Sequence, residues 1–198
     1  MGPLRAITLW SSLALACGVP LVLAAFSPQL AWRDPIYIVA GFAGVLALAL
    51  LLIQPLLAGG MMHGISLRHA RLSHRWIGAG LLLAVIVHVV ALWITSPPDV
   101  VDALLFVSPT PFSVWGVIAM WAVFASALLA ILRRHIRLRL WRTVHQSSAV
   151  IIVTGTIVHA LQIDGTMEPV SKVALCTVVA LATGLAIATM RGWKVKTK

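Results

Sequence analysis

With 198 residues, 61% of them hydrophobic and only 10% charged, and with a mean hydropathy of +1.01, this chain cannot present an ordinary soluble surface. A formal net charge of +10 would suit a nucleic-acid partner in a polar protein, but in one this apolar it points to loops facing anionic lipid headgroups, so membrane lipid and no nucleic acid is the expectation. Cys17 and Cys176 stand singly in apolar segments, outside any CxxC or CxxCH spacing, and say nothing about redox compartment.

The first apolar run is Ile7 to Phe26, preceded by Arg5 and containing Pro20. Its basic start and the VLAA near its end also fit a signal peptide, but it is long enough to span, so a retained helix over about 7–26 is expected. The second run, about 35–57, has Gln54 as its only strongly polar interior residue. A polar segment from Met61 to Arg75 follows, with three arginines (Arg68, Arg71, Arg75) and three histidines (His63, His69, His74). The third helix, about 75–95, is ended by Ser96, Pro97 and Pro98, because proline removes a donor and forces extended backbone before it. The fourth covers about 114–132 and runs into RRHIRLRLWR, whose five arginines in ten residues are too dense for lipid. The fifth, about 144–162, belongs to the stretch Leu140 to Ile163, around which the chain is organised. The loop at Asp164, Gly165 and Glu168 leads to the sixth, about 173–190. The fold class is therefore an all-α membrane protein, a six-transmembrane-helix bundle forming a single domain over 1–198, with no soluble or nucleotide-binding domain expected after Met190.

If these helices alternate across a bilayer, Arg5, Arg68, Arg71, Arg75, Arg133, Arg134, Arg137, Arg139, Arg142, Arg191, Lys194, Lys196 and Lys198 fall on one side. The other side keeps Arg33 and Lys172 and all five acids: Asp34, Asp99, Asp102, Asp164 and Glu168. Positive charge in short loops marks the cytoplasmic side, so both termini are expected inside.

Within the fifth helix His145 and His159 stand fourteen residues apart, and His74 and His88 repeat that interval around the third. Fourteen α-helical steps come to about 1400°, roughly 40° short of four turns, with a rise of about 21 Å, so each pair of imidazoles leaves one face near opposite sides of a bilayer. Two such helices make two facing pairs, His74 with His145 near the cytoplasmic face and His88 with His159 deeper toward the outside. This is an arrangement suited to two haems stacked across the membrane, with sites between the third and fifth helices. Two imidazoles fill both axial positions of a haem iron, which favours electron transfer over oxygen activation. A single histidine would be read as hydrogen-bonding a neighbouring helix. Four at matching depths, where polar groups are costly, imply ligands.

Gly78, Ala84 and Gly155, four residues from His74, His88 and His159, offer small side chains against which a porphyrin could lie, although glycine also serves helix packing. Arg71, Arg75 and Arg142 are candidates to pair with the propionates of the inner haem, their alternative role being topology signals. His63, His69 and His135 are placed in basic loops, solvated or lipid-facing. Trp10, Trp32, Trp76, Trp93, Trp141 and Trp193 lie near helix ends and read as interfacial aromatic belts.

RLSHRWIG leading to His88, Ser126 followed by the arginine-rich ILRRHIRLRLWRTVH reaching His145, and the return to His159 give a further signal. Across about Leu67 to Leu161 the sequence resembles the ferric reductase-like transmembrane domain. That domain is shared by ferric reductases, NADPH oxidases and the haem-containing subunit of the periplasmic methionine sulfoxide reductase system. The resemblance implies haem b at two bis-histidine sites and electrons moving outward from the cytoplasm. It also implies an extracytoplasmic acceptor, either ferric iron or a periplasmic reductase, and a setting such as a bacterial inner membrane. Ferric reductases and NADPH oxidases continue into flavin and nicotinamide domains, which this sequence lacks. FMN or FAD is therefore expected at the cytoplasmic face or on a separate flavoprotein donor. Two other classes stay open: a quinone- or hydrogenase-linked diheme cytochrome b, which pairs different helices, and a non-haem transporter, which would be expected to carry intramembrane carboxylates or broken helices.

Overall fold

Proline opens most of the helices in the computed structural model, which describes residues 3–196. Pro35, Pro97, Pro111 and Pro169 each stand at the first helical position, where the missing N–H would have had no intrahelical partner. The seven α-helices of the described residues are α1 (Pro3–Ala25), α2 (Pro35–Ala58), α3 (Leu67–Thr95), α4 (Pro97–Leu104), α5 (Pro111–Ile131), α6 (Leu138–Gln162) and α7 (Pro169–Lys196). All but α4 are long and apolar enough to cross a membrane, so the chain is an integral multi-pass membrane protein. Lys198, and the side chains of Arg5, Arg191, Trp193, Lys194 and Lys196, lie outside the described residues.

The acids at one end of the bundle have a local purpose. The Asp34 carboxylate accepts from the Ile36 amide at 2.7 Å and caps α2, while Glu168 accepts from the amides of Val170 and Ser171, each at 2.7 Å, and caps α7. The Ser171 and Val170 amides hold the Glu168 carboxyl below the usual carboxylate range. Lys172, buried beside it, donates to the Ile163 carbonyl at 2.7 Å and so satisfies the C-terminal end of α6 from the first turn of α7.

Several boundaries differ from the hydropathy reading, among them the start of α7 at Pro169 rather than near residue 173. The third membrane helix, α3, begins at Leu67 rather than near residue 75, because the Ser66 side chain accepts from the His69 amide and starts the helix two turns inside the arginine-rich segment. His69 thus sits on a helix and not in a loop. The fifth, α6, begins at Leu138 rather than 144, after a 3-10 turn over Leu132–His135. Pro97 and Pro98 not only end α3 but open α4, an unexpected short helix that carries Asp99 and Asp102.

Packing divides the bundle into two hairpins, α2 against α3 and α5 against α6, with α7 leaning on α2 and α6, and α1 on α2 and α7. Leu48 and Leu52 of α2 and Val179 of α7 are fully buried at the centre, joined by Leu81 of α3, Val123 of α5, and Ile152 and Val153 of α6. Many other large apolar side chains face outward, as lipid contact requires. The backbones of α3 and α6 do not pack closely on one another, and each is held by its hairpin partner.

Candidate functional site

Four half-buried histidines stand between α3 and α6 in two pairs. His88 of α3 faces His159 of α6 with ring centroids 6.4 Å apart and ring planes at 83°. His74 of α3 faces His145 of α6 at 6.2 Å and 76°. The fourteen-residue interval on each helix thus brings together the partners that the spacing foretold.

The outer pair, at the acidic end, is anchored by one device used twice. His88 Nδ1 lies 2.7 Å from the Ala40 carbonyl of α2, and His159 Nδ1 lies 2.8 Å from the Phe112 carbonyl of α5. A carbonyl can only accept, so Nδ1 carries the proton in both rings and Nε2 keeps a free lone pair. In an α-helix each of these carbonyls also accepts from the amide four residues on, which here belongs to Gly44 and Gly116. A side chain at those positions would stand where the imidazole must approach. A Cβ on Gly44 would lie 3.2 Å from His88 Nδ1, and one on Gly116 only 2.7 Å from His159 Nδ1. Glycine is thus required here for close approach rather than for backbone freedom.

The inner pair, toward the cationic end, is held differently. His74 Nδ1 donates to the Gln54 carbonyl of α2 over a longer 3.3 Å, and the Gln54 amide nitrogen returns a bond to the His74 carbonyl, also at 3.3 Å. His145 Nδ1 is buried with no hydrogen-bond partner. Its ring lies instead on the indole of Trp141, one turn earlier on α6, with centroids 5.1 Å apart and planes within 10° of parallel. The indole N–H donates to the Leu129 carbonyl of α5 at 3.2 Å, and the Arg133 guanidinium sits 4.9 Å from the indole ring.

The remaining candidates are more ordinary. Arg71, Arg75 and Arg142 are exposed, the first two on the opening turns of α3 and the third on α6. His69 Nδ1 bonds the Ser66 hydroxyl at 2.8 Å, His135 Nε2 accepts from Arg134 at 2.9 Å, and the His63 carbonyl accepts from the Trp10 indole at 3.3 Å. Gly78 and Gly155 face neighbouring helices: added Cβ atoms would meet the Gln54 amide at 3.4 Å, and Trp115 and Ala119 of α5 at 3.0 and 3.1 Å. They serve helix packing, not a cradle. Trp10, Trp32, Trp76 and Trp93 are exposed as a belt requires, whereas Trp141 is half-buried on a histidine and departs from that reading. Sequence reasoning also missed the glycines and carbonyls behind the outer imidazoles. Gln54 was visible as the one polar interruption of α2, and the four-residue step from Trp141 to His145 places both on one helix face.

Among the described residues no three His, Cys, Asp or Glu side chains converge, so the donors gather as pairs. No curated protein and no solved structure matches the chain. The family model for the ferric reductase like transmembrane component matches residues 41–156, more than half the sequence, taking in Gly44, His74, His88, Gly116 and His145 and ending three residues before His159. With six apolar spans and histidines paired between α3 and α6, the chain belongs to the ferric reductase-like transmembrane family, whose activity is of the oxidoreductase type.

Proposed function

We propose that the chain carries electrons across the membrane through two b-type haems, one held by His74 and His145 and the other by His88 and His159. The carrying observation is the pair spacing. An imidazole nitrogen sits about 2 Å from a metal it ligates and about 1 Å from its own ring centre, so two axial imidazoles on one iron stand roughly 6 Å apart, centre to centre. Both pairs have that separation, at 6.2 and 6.4 Å. A haem also needs helices that stand apart, and α3 and α6 do not pack closely on one another. In the three rings with a fixed Nδ1 proton, Nε2 is the nitrogen left to bind. A bare metal ion would want further donors from the protein, which pairs of histidine do not provide; a porphyrin supplies four of its own.

A haem held there by two imidazoles would supply reversible one-electron chemistry. The protein's part would be to fix the imidazoles, to keep lipid and water from them, and to place a charge at each end. Nδ1–H donation to a carbonyl orients the ring and makes Nε2 more basic. Arg71, Arg75 and Arg142 are the candidates to pair with the carboxylates of the inner haem. The cationic end is the cytoplasmic one, both termini lie inside, and the membrane is a bacterial inner membrane. This basic face docks a flavoprotein, or the phosphate of FMN or FAD, as electron donor. The acceptor, ferric iron or a periplasmic reductase, lies at the acidic end.

Haem extraction into acidic acetone tests the core of this proposal. Two non-covalent haems per chain are expected, both low-spin; one per chain would halve the proposal, and none would end it. For the donor, NADH or NADPH alone should leave the protein oxidised, while an added flavin reductase should reduce it at a rate that falls with ionic strength. Rapid reduction by a nicotinamide nucleotide without flavoprotein would overturn that part.

A further inference from the structure

Of the four imidazoles, His145 alone has a buried Nδ1 without a partner. Its ring plane must therefore be set by something other than a hydrogen bond. A flat contact covers one face: the Trp141 indole, nearly parallel at 10°. That indole cannot turn freely. Its N–H is tied to the Leu129 carbonyl on α5, and the Arg133 guanidinium is also placed against its ring. The restraint thus passes from α5 and the turn after it, through the indole, to the imidazole. We propose that Trp141 is the positioning residue of the inner site, fixing the plane of His145 by stacking in the place of the carbonyl bond that fixes the other three.

The inference rests on the two-haem reading, and one property of bis-imidazole iron makes it measurable without any turnover. When the two axial ring planes stand near perpendicular, the ferric low-spin signal in electron paramagnetic resonance is strongly anisotropic. As the planes turn toward parallel it moves to the ordinary rhombic form. The inner pair stands at 76° and the outer at 83°, so both signals should be of the first kind. Only the inner one depends on Trp141.

Two variants of similar bulk separate stacking from mere filling of space. Trp141→Phe keeps a flat face for the imidazole, whereas Trp141→Met fills the volume without one. Spectra of the purified, haem-loaded proteins should show the inner signal retained in the phenylalanine variant. In the methionine variant it should be shifted to the rhombic form or lost, with the outer signal unchanged in both as an internal sign of folding. The inner midpoint potential should move with the signal, and the outer should not. Identical spectra in the two variants, or loss of both haems in both, would overturn the assignment and leave Trp141 a packing residue. Absence of haem from the unsubstituted protein would instead sink the two-haem reading on which this one stands.

Discussion

The outer and inner histidine pairs have nearly the same spacing, 6.4 and 6.2 Å between ring centres, yet the protein fastens them by different means. At the acidic end both rings donate short bonds to helix carbonyls, 2.7 and 2.8 Å, through openings left by Gly44 and Gly116. At the cationic end one ring has a 3.3 Å bond and the other has none, being stacked on an indole. The outer device is a near-repeat: donor and acceptor are 48 residues apart in the α2–α3 hairpin and 47 in the α5–α6 hairpin. The inner pair breaks the repeat, since the residue four beyond Gln54 is Ala58 and α5 offers His145 no carbonyl. Matching geometry can thus be reached by hydrogen bonding on two sides or by packing on one, and the two should respond differently to substitution.

The largest expected effect comes from removing a ring. His88→Ala and His159→Ala should each abolish the same spectral component and spare the other, while His145→Ala, and with it His74→Ala, should do the converse. Difference spectra in which His88→Ala and His145→Ala lost the same component would show that the pairs are crossed in function.

Next in size are the glycines, which touch only the outer pair. Gly116→Ala puts a methyl group 2.7 Å from the His159 ring nitrogen, so the ring or α5 must move, at a cost of about 1–3 kcal/mol. Gly44→Ala places it 3.2 Å from His88, a contact that a few tenths of an ångström relieve, and should cost less. Thermal melts of the haem-loaded variants would rank them, and the outer absorption band should shift in the first more than in the second. Equal effects, or a change at the inner haem, would deny that the glycines serve the outer rings.

Smaller still is Gln54→Leu. It removes the amide that donates to the His74 carbonyl but leaves the backbone carbonyl that His74 Nδ1 uses. A loss of about 1 kcal/mol with both haems retained is expected. Complete loss of the inner haem would mean that the side chain, not the backbone, holds His74.

Least of all is a change that should touch neither pair. The Glu168 carboxyl is held below the usual range by the amides of Ser171 and Val170. A depressed folded-state pKa adds stability above the unfolded value, near pH 4 for glutamate, and that stability is lost as pH falls through the folded value. Glu168→Gln should flatten this acid-side loss by a small amount, read as the melting temperature between about pH 5 and pH 2, with both haem spectra as in the parent. A variant that lost stability with pH as steeply as the parent would show that the cap is not titrating.

Much of this comparison was open to view in the sequence, and the rest was hidden for identifiable reasons. The recurrence of fourteen residues around two apolar helices is a geometric statement, and it paired the four histidines and ranked their depths. The carbonyls of Ala40 and Phe112 leave no such mark, because every residue offers one, and glycine at positions 44 and 116 looks like any other packing glycine in a membrane helix. Trp141 was hidden by a rival explanation: a tryptophan near a helix end usually marks the interface. Hydropathy also misplaced the starts of α3 and α6, since arginines in their opening turns lower the average without breaking the helix. Proline after α3 carried two meanings, stop and start, and only the first was read.

The choice of backbone carbonyls behind the outer rings also decides what the surrounding medium can alter. The carbonyls of Ala40 and Phe112 neither gain nor lose a proton at any pH a cell encounters, and they are part of the helices themselves. A carboxylate in the same place would have changed its charge in an acidic medium and with it the strength of its grip on the imidazole. At the end of the bundle where all five acids lie, the anchoring of His88 and His159 is therefore insulated from the acidity of the surroundings.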